Sequence, residues 1–371
     1  MKRPNAILSN ANLTNATLTQ ATLTGANLST ATLTGANLTG ATVKGATLSG
    51  ISLPQLYSTA SYQARDLAGI GLGNHNLTGA NLAGQNLANA SFYQATLVGA
   101  NLSHANLTGA YFAGYQDEYG SGYGADLTNA NLTAADARGA NFSYATLTGA
   151  NTLNLIQNDG HIAGLDLRTS NSLVVRNYPT PIAVDQYLNA DATGALRLLF
   201  DADPWNSTIS FAPGIPVALG GTLELSFAPD VSLASQLGRT IDLFDWTGVT
   251  PTGAFNVSSS FTWDLTRLYS TGEVTLLGLG AGMAGDFNGD SVVDADDLAS
   301  WKNGFGASGN ATLTQGDADS DHDVDGADFL AWQRQVGSPA TVAVNAAVPE
   351  TLLLLIAGAA AMVLRRRPAA S

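Results

Sequence analysis

The chain contains no cysteine. That excludes a disulfide framework, thiol catalysis and any cysteine-ligated metal. Several enzyme signatures are missing too: there is no Gly-x-Ser-x-Gly, no His-Glu-x-x-His and no phosphate-binding P-loop. Histidine is scarce: His75 and His104 fall at repeat positions, His322 sits in an acidic loop, and His161 stands apart. Basic residues are outnumbered, 15 against 29 acidic, for a net charge of −14. Nucleic-acid binding wants the opposite sign. The deficit is uneven: residues 1–150 are neutral, 151–285 carry −7, 286–340 carry −9 and 341–371 carry +2.

What is present is a repeat. Leu8, Leu13, Leu18, Leu23, Leu28, Leu33, Leu38, Val43, Leu48 and Leu53 keep a spacing of five, and the residue two before each is nearly always Ala. The phase resumes from Leu72 to Phe112 and again from Leu127 to Leu147. Five is neither a helix nor a strand period, and fixed self-similarity of this kind means a solenoid. In extended chain, residues two apart share a face. Ala and Leu therefore point inward, and neighbours such as Thr17 and Thr19 point out. A bend at every fifth residue closes a narrow tube.

The pattern resembles the pentapeptide-repeat family. The resemblance implies a right-handed quadrilateral β-helix with twenty residues per coil, about six coils for the 24 repeats, stacked about 4.8 Å apart. Phe92 then lies beneath Phe112. Two interruptions are expected: a loop or distorted turn at 54–66, where the phase shifts by one, and a bulged loop with three exposed tyrosines at 115–124. A neutral tube argues against a DNA-mimicking inhibitor. Broken stacking of its Thr-x-Thr pairs argues against ice binding.

The strongest chemical signal is the segment GDFNGDSVVDADDL at 285–298, which recurs as GDADSDHDVDGADF at 316–329 with an offset of 31. Oxygen ligands at loop positions 1, 3, 5 and 12 suit a hard cation of Ca²⁺ size. The candidate ligands are Asp286, Asn288, Asp290, Val292 through its carbonyl, Asp294 and Asp297 in the first loop. In the second they are Asp317, Asp319, Asp321, Asp323 through its carbonyl, Asp325 and Asp328. Carboxylates this dense cannot pack without counter-charge. Each loop precedes a helical stripe, Leu298, Trp301, Phe305 and Phe329, Trp332, Val336. The pair resembles a type I dockerin, which implies two Ca²⁺ sites and a cohesin-like partner. Position 6, ordinarily Gly for its positive φ, is Ser291 and His322. The positions that read cohesin hold Ala295-Asp296 and Gly326-Ala327, not the hydroxyl pair of well-known dockerins.

The tail, VPETLLLLIAGAAAMVLRRR at 348–367, has a 14-residue apolar run, short for a span of about 20. Three Arg follow it. It resembles a PEP-CTERM sorting signal, which implies processing by an exosortase and transient membrane attachment. Thr351 replaces the usual Pro. The opening segment MKRPNAILSNANLT has no apolar h-region, so an export signal and a tube cap are expected upstream of this start.

Residues 154–283 lose the period. Runs such as SLVVR, ALRLLF and TLELSF between turn signals read as all-β, a sandwich or an irregular solenoid. Asp201 and Asp203 beside Trp205 suit a sugar-cleaving pair, or an ordinary strand end with turn residues. The expected fold is mainly β: a β-helix at 1–153, an all-β domain at 154–283, a small helical dockerin-like domain at 284–340, then a linker and hydrophobic helix at 341–371. The expected role is an exported, surface-associated, non-catalytic structural or interaction protein. It would meet a cohesin-like protein or an extracellular matrix component. Alternatives are a component of polysaccharide breakdown and an intracellular pentapeptide-repeat inhibitor.

Overall fold

The structure is a computed structural model and describes residues 5–228, 231–278, 285–288, 293–319 and 321–335. It divides into two compact units, residues 1–166 with 178–187, and 167–177 with 188 onward.

The first unit is the tube. Residue pairs twenty apart form parallel bridges, Ile7 with Asn27, Asn12 with Thr32 and Thr17 with Asn37, and this continues to Asn131 with Asn151 and Asp136 with Ile156. An uninterrupted coil therefore takes twenty residues. The paired Ala and Leu positions are buried from Ala21 and Leu23 to Ala135 and Ala137. The residue two after each Leu turns the corner with positive φ, from 61° at Asn10 to 65° at Gly25. That is why Asn and Gly crowd this position.

A second local device holds the corners. Where Asn precedes the Leu, its Oδ1 turns back to accept the backbone N–H two residues on, as in Ser29 to Asn27 at 2.9 Å and Thr39 to Asn37 at 3.0 Å. Asn-Leu-Thr-Gly is thus a turn with its own brace. On one side these amides also form a ladder between coils: Asn86 donates to Asp66 at 3.1 Å and Asn106 to Asn86 at 3.0 Å.

The first interruption is helical, not a loop. Helix α1 (Leu53–Tyr57) starts on a Ser52 cap that Gln55 closes reciprocally, with Pro54 in its first turn. Helix α2 (Ala60–Gln63) is capped by Thr59. The detour stretches one coil, so that Thr47 pairs with Gly71, and Leu56 keeps the core filled at full burial. The second interruption is a two-stranded hairpin, Tyr115–Gln116 with Gly122–Tyr123. Tyr115, Tyr119 and Tyr123 are exposed on it, as expected.

Phe92 stacks on Phe112 with centroids 4.9 Å apart. Phe142 extends the column at 4.8 Å, because the hairpin makes that coil thirty residues long and pairs Tyr111 with Asn141. Segment 178–187 returns onto this tube. There the Arg138 guanidinium grips Asp136 at 2.9 and 2.6 Å and donates to the Thr180 carbonyl at 3.0 Å. It also lies 5.4 Å from the Tyr178 ring centre. Gly139 leaves room for that ring: a Cβ there would sit 2.2 Å from the Tyr178 hydroxyl.

The second unit is also built largely of parallel strands. Ser172–Arg176, Ala195–Phe200, Thr222–Phe227 and Asn256–Ser258 stack in register. Ser172 pairs with Ala195, Ala195 with Thr222 and Thr222 with Asn256, so the repeat lengthens from 23 to 27 to 34 residues. This is the irregular-solenoid alternative rather than a sandwich. The alternating burial of these strands places Leu173, Val175, Leu196, Leu198, Leu223 and Leu225 inside. An antiparallel sheet, Thr240–Asp242, Glu273–Gly278 and Thr262–Asp264, follows. Last come helices α3 (Ala295–Gly304) and α4 (Gly326–Gln335). Among the described residues no helix is long and apolar enough to cross a membrane. The sorting-signal and hydrophobic-helix readings at 341–371 lie outside the described residues.

Candidate metal centre

The described parts of the two acidic loops share one plan. In the second, Asp328 stands in the first turn of α4, fully buried. Its Oδ1 accepts the N–H groups of Ala318 at 2.6 Å and Asp319 at 3.3 Å, and its Oδ2 accepts that of Asp325 at 2.7 Å. Asp297 in α3 does the same in the first loop. It takes Phe287 and Asn288 at 2.7 and 3.1 Å, and Asp294 at 2.9 Å. Each carboxylate folds its loop back on its own helix while facing the helix N-terminus, where negative charge is favoured.

The halves are tied crosswise. The Trp301 indole of α3 donates to the Asp325 carbonyl of the second loop at 3.0 Å. The Trp332 indole of α4 donates to the Asp294 carbonyl of the first at 2.8 Å. Both partners are separated by the same 31-residue offset, so the module has an internal two-fold plan. Phe287 and Ala318 form its buried core with Trp301, Ala331 and Trp332 around them. Phe305 corrects the helical stripe expected from sequence. It lies just past the end of α3 with extended ψ, is 60% exposed, and only leans its ring on Trp301 at 4.9 Å. Val293 and Val324 supply the burial instead. Val336 lies outside the described residues.

The second loop gathers its carboxylates into two triads, Asp317 with Asp319 and Asp321, and Asp323 with Asp325 and Asp328. Within each, one ligand oxygen per residue lies within 4.8 Å of the others. Asp317 Oδ1 and Asp323 Oδ1 are buried without a hydrogen-bond partner among the described residues. Each triad thus sets one buried, unpartnered carboxylate oxygen beside the oxygens of its neighbouring aspartates, an all-oxygen donor set of the kind a hard divalent cation takes up. The chemistry therefore fits Ca²⁺. The Asp323 side chain joins the cluster, a role the sequence reading gave only to its carbonyl. In the first loop Asp286 is buried and Asn288 and Asp294 are exposed. Asp290 and Val292 lie outside the described residues.

Charge crowding shows in the protonation of the second loop. Partial desolvation first, then the neighbouring charges of Asp328 and Asp321, raises the Asp319 carboxyl above its ordinary value. Desolvation, then Asp321 and Asp325, does the same to Asp323. A folded pKa above the unfolded value of about 3.9 makes the folded state hold protons more tightly. Stability of the cation-free module is then fullest below about pH 4 and falls as pH rises through the folded values. Urea unfolding in chelator between pH 4 and pH 7 should show that decline, and Ca²⁺ should abolish it.

His322, at loop position 6, adopts φ of +73°, and its N–H donates to Asp317 Oδ2 at 3.2 Å. A side chain in this conformation costs roughly 1–2 kcal/mol, somewhat less for His. His322→Gly should raise Ca²⁺ affinity severalfold by calorimetric titration, and an unchanged or weaker affinity would refute the strain.

The acid pair beside Trp205 is engaged in structural contacts. Asp203 forms an ion pair with Arg239, which with the Gln236 amide lowers its pKa. Asp201 accepts the Asn177 N–H at 2.8 Å.

Residues 11–50, 76–114 and 123–151 match the pentapeptide repeats family in eight copies. The tube is a pentapeptide-repeat domain. Two solved pentapeptide-repeat proteins are similar to it. One is HetL, involved in heterocyst differentiation regulation, from the cyanobacterium Nostoc sp. strain PCC 7120, with 30% identity over 42% of this chain and a TM-score of 0.18. The other is a thylakoid-lumen protein of Arabidopsis thaliana, with 31% identity over 32% of this chain and a TM-score of 0.13. The chain spans 65% of the first protein's length and 69% of the second's. No curated protein matches the chain. All three matched stretches fall within the pentapeptide-repeat domain, so the acidic module stands on its own geometry.

Proposed function

We propose that this is an exported, surface-associated protein without catalytic function, whose C-terminal module is a dockerin-like pair of Ca²⁺ loops. The observation that carries the proposal is the crosswise Trp301 and Trp332 tie between two acidic loops of identical plan. Such a tie makes the loops one unit, and the carboxylate triads make that unit depend on a cation. Ca²⁺ would be held in the second loop by Asp317, Asp319, Asp321, Asp323, Asp325 and Asp328. In the first it would be held by Asp286, Asn288, Asp290, Val292, Asp294 and Asp297. Bound there, it neutralises the clustered charge and fixes the helices in place to present a docking face to a cohesin-like or matrix partner. The pentapeptide-repeat tube is a rigid spacer whose inward residues are apolar and whose outward ones brace its corners. The Pro349-Glu350 tail with its Arg365–Arg367 end reads as the sorting signal that delivers the chain to the surface through an exosortase.

Protease treatment of intact source cells tests the placement. The expected result is digestion of the chain at the surface while cytoplasmic markers survive. Protection equal to that of the cytoplasmic markers would overturn it.

A further inference from the structure

The tube's unit carries a cleft of about 740 Å³ at the last repeats, outside the metal loops. Its floor is apolar, with Phe142 from the end of the ring column beside Leu147, Leu155 and Ile162. Its edge carries the exposed amides of Gln157, Asn158 and Gln186. Among the described residues no Asp, Glu, Lys, Arg or His lines it. Tyr187 supplies one half-buried ring.

That ring is seated. It lies so close over Gly164 that a Cβ there would sit 2.6 Å from its Cε1 and Cζ. Only glycine lets the ring rest on the backbone. The Tyr187 carbonyl accepts the Leu165 N–H at 2.8 Å, which fixes the residue beneath its side chain. Asn154 belongs to the wall: buried, it exchanges both amide bonds with the Asp166 backbone at 2.7 Å.

The lining selects among ligand classes. A charged ligand would lose hydration and meet no counter-charge. A wholly apolar ligand would strip water from three amides and return nothing. A molecule with C–H faces and hydroxyl edges satisfies both surfaces. Its faces rest on Tyr187 and the aliphatic floor, and its hydroxyls both donate to and accept from the amides. The volume lies within the usual range for a small-ligand site. We propose that this cleft binds a neutral oligosaccharide. The site lies in the tube's unit and does not require the calcium reading.

The test is calorimetric titration of the full chain with cellohexaose, laminarihexaose and xylohexaose. Hexagalacturonate is the charged control and N-phenylnaphthylamine the apolar one. At least one neutral hexasaccharide should saturate the protein, and neither control should compete with it. Tyr187→Ala should weaken binding about tenfold, the loss of one stacked ring, while Tyr187→Phe stays within about twofold. Gln186→Ala, an exposed change that spares the fold, should also weaken binding, so the proposal stays open to refutation if Tyr187→Ala fails to fold. EGTA should leave affinity unchanged. Saturation by none of the three sugars would overturn the proposal, as would unchanged affinity in folded Tyr187→Ala and Gln186→Ala proteins. Displacement of the sugar by the apolar probe, or loss of sugar binding in EGTA, would also overturn it.

Discussion

Arg138→Ala should destabilise the pentapeptide-repeat unit by about 3–5 kcal/mol, the cost of leaving one member of a buried ion pair alone. Both partners are essentially inaccessible, Arg138 at 0% and Asp136 at 1% exposure. The substitution strands the Asp136 carboxylate, frees the Thr180 carbonyl and removes the cation from the Tyr178 face. The control is the double variant Asp136→Asn with Arg138→Leu. It removes the stranded charge and should recover part of the loss, because much of the penalty belongs to the orphan rather than to the pair. Equilibrium unfolding in urea measures both. A single-variant loss below about 1 kcal/mol would mean that the pair is hydrated and that segment 178–187 does not seal it.

Asp328→Ala should have the larger consequence for function. It takes one proposed ligand from the second loop and leaves three backbone N–H groups, of Ala318, Asp319 and Asp325, without their acceptor. The bond from Ala318 is buried, those from Asp319 and Asp325 are partly so; a buried orphan donor costs about 1–3 kcal/mol, and so small a module has little core to absorb that loss. The variant should show no ordered module in chelator and Ca²⁺ affinity reduced by about 10–100-fold or more. Asp328→Asn keeps one carbonyl acceptor and should fall between the two. Wild-type affinity in Asp328→Ala, followed by calorimetric titration, would remove Asp328 from the site.

How far these features were legible in the sequence depends on whether their cause is local. The Leu ladder, the inward Ala and the Phe92–Phe112 stack follow from spacing alone, because each coil repeats the same twenty-residue path. Phe142 escaped, since the hairpin at 115–124 adds ten residues to one coil and shifts the register of everything after it. Helices α1 and α2 escaped although their caps, Ser52 with Gln55 and Thr59, stand in the sequence; the phase break drew the reading toward a loop. Arg138 occupies an outward position of its repeat, next to Gly139, and no local pattern signals its burial. It is buried by a segment some forty residues away. In the acidic module the candidate ligands showed through their 31-residue echo. The indole ties of Trp301 and Trp332 did not, because hydrophobic periodicity reads Trp as core and is blind to its N–H. The same echo held the clue: both Trp residues fall seven positions after an equivalent aspartate, Asp294 and Asp325.

Differential scanning calorimetry of the full chain in Ca²⁺ and in EGTA reaches the heart of the account. Chelation should remove or lower, by well over 10 °C, one transition belonging to the C-terminal module, while the pentapeptide-repeat transition stays in place. Superimposable traces would contradict the claim that a cation holds the two loops together.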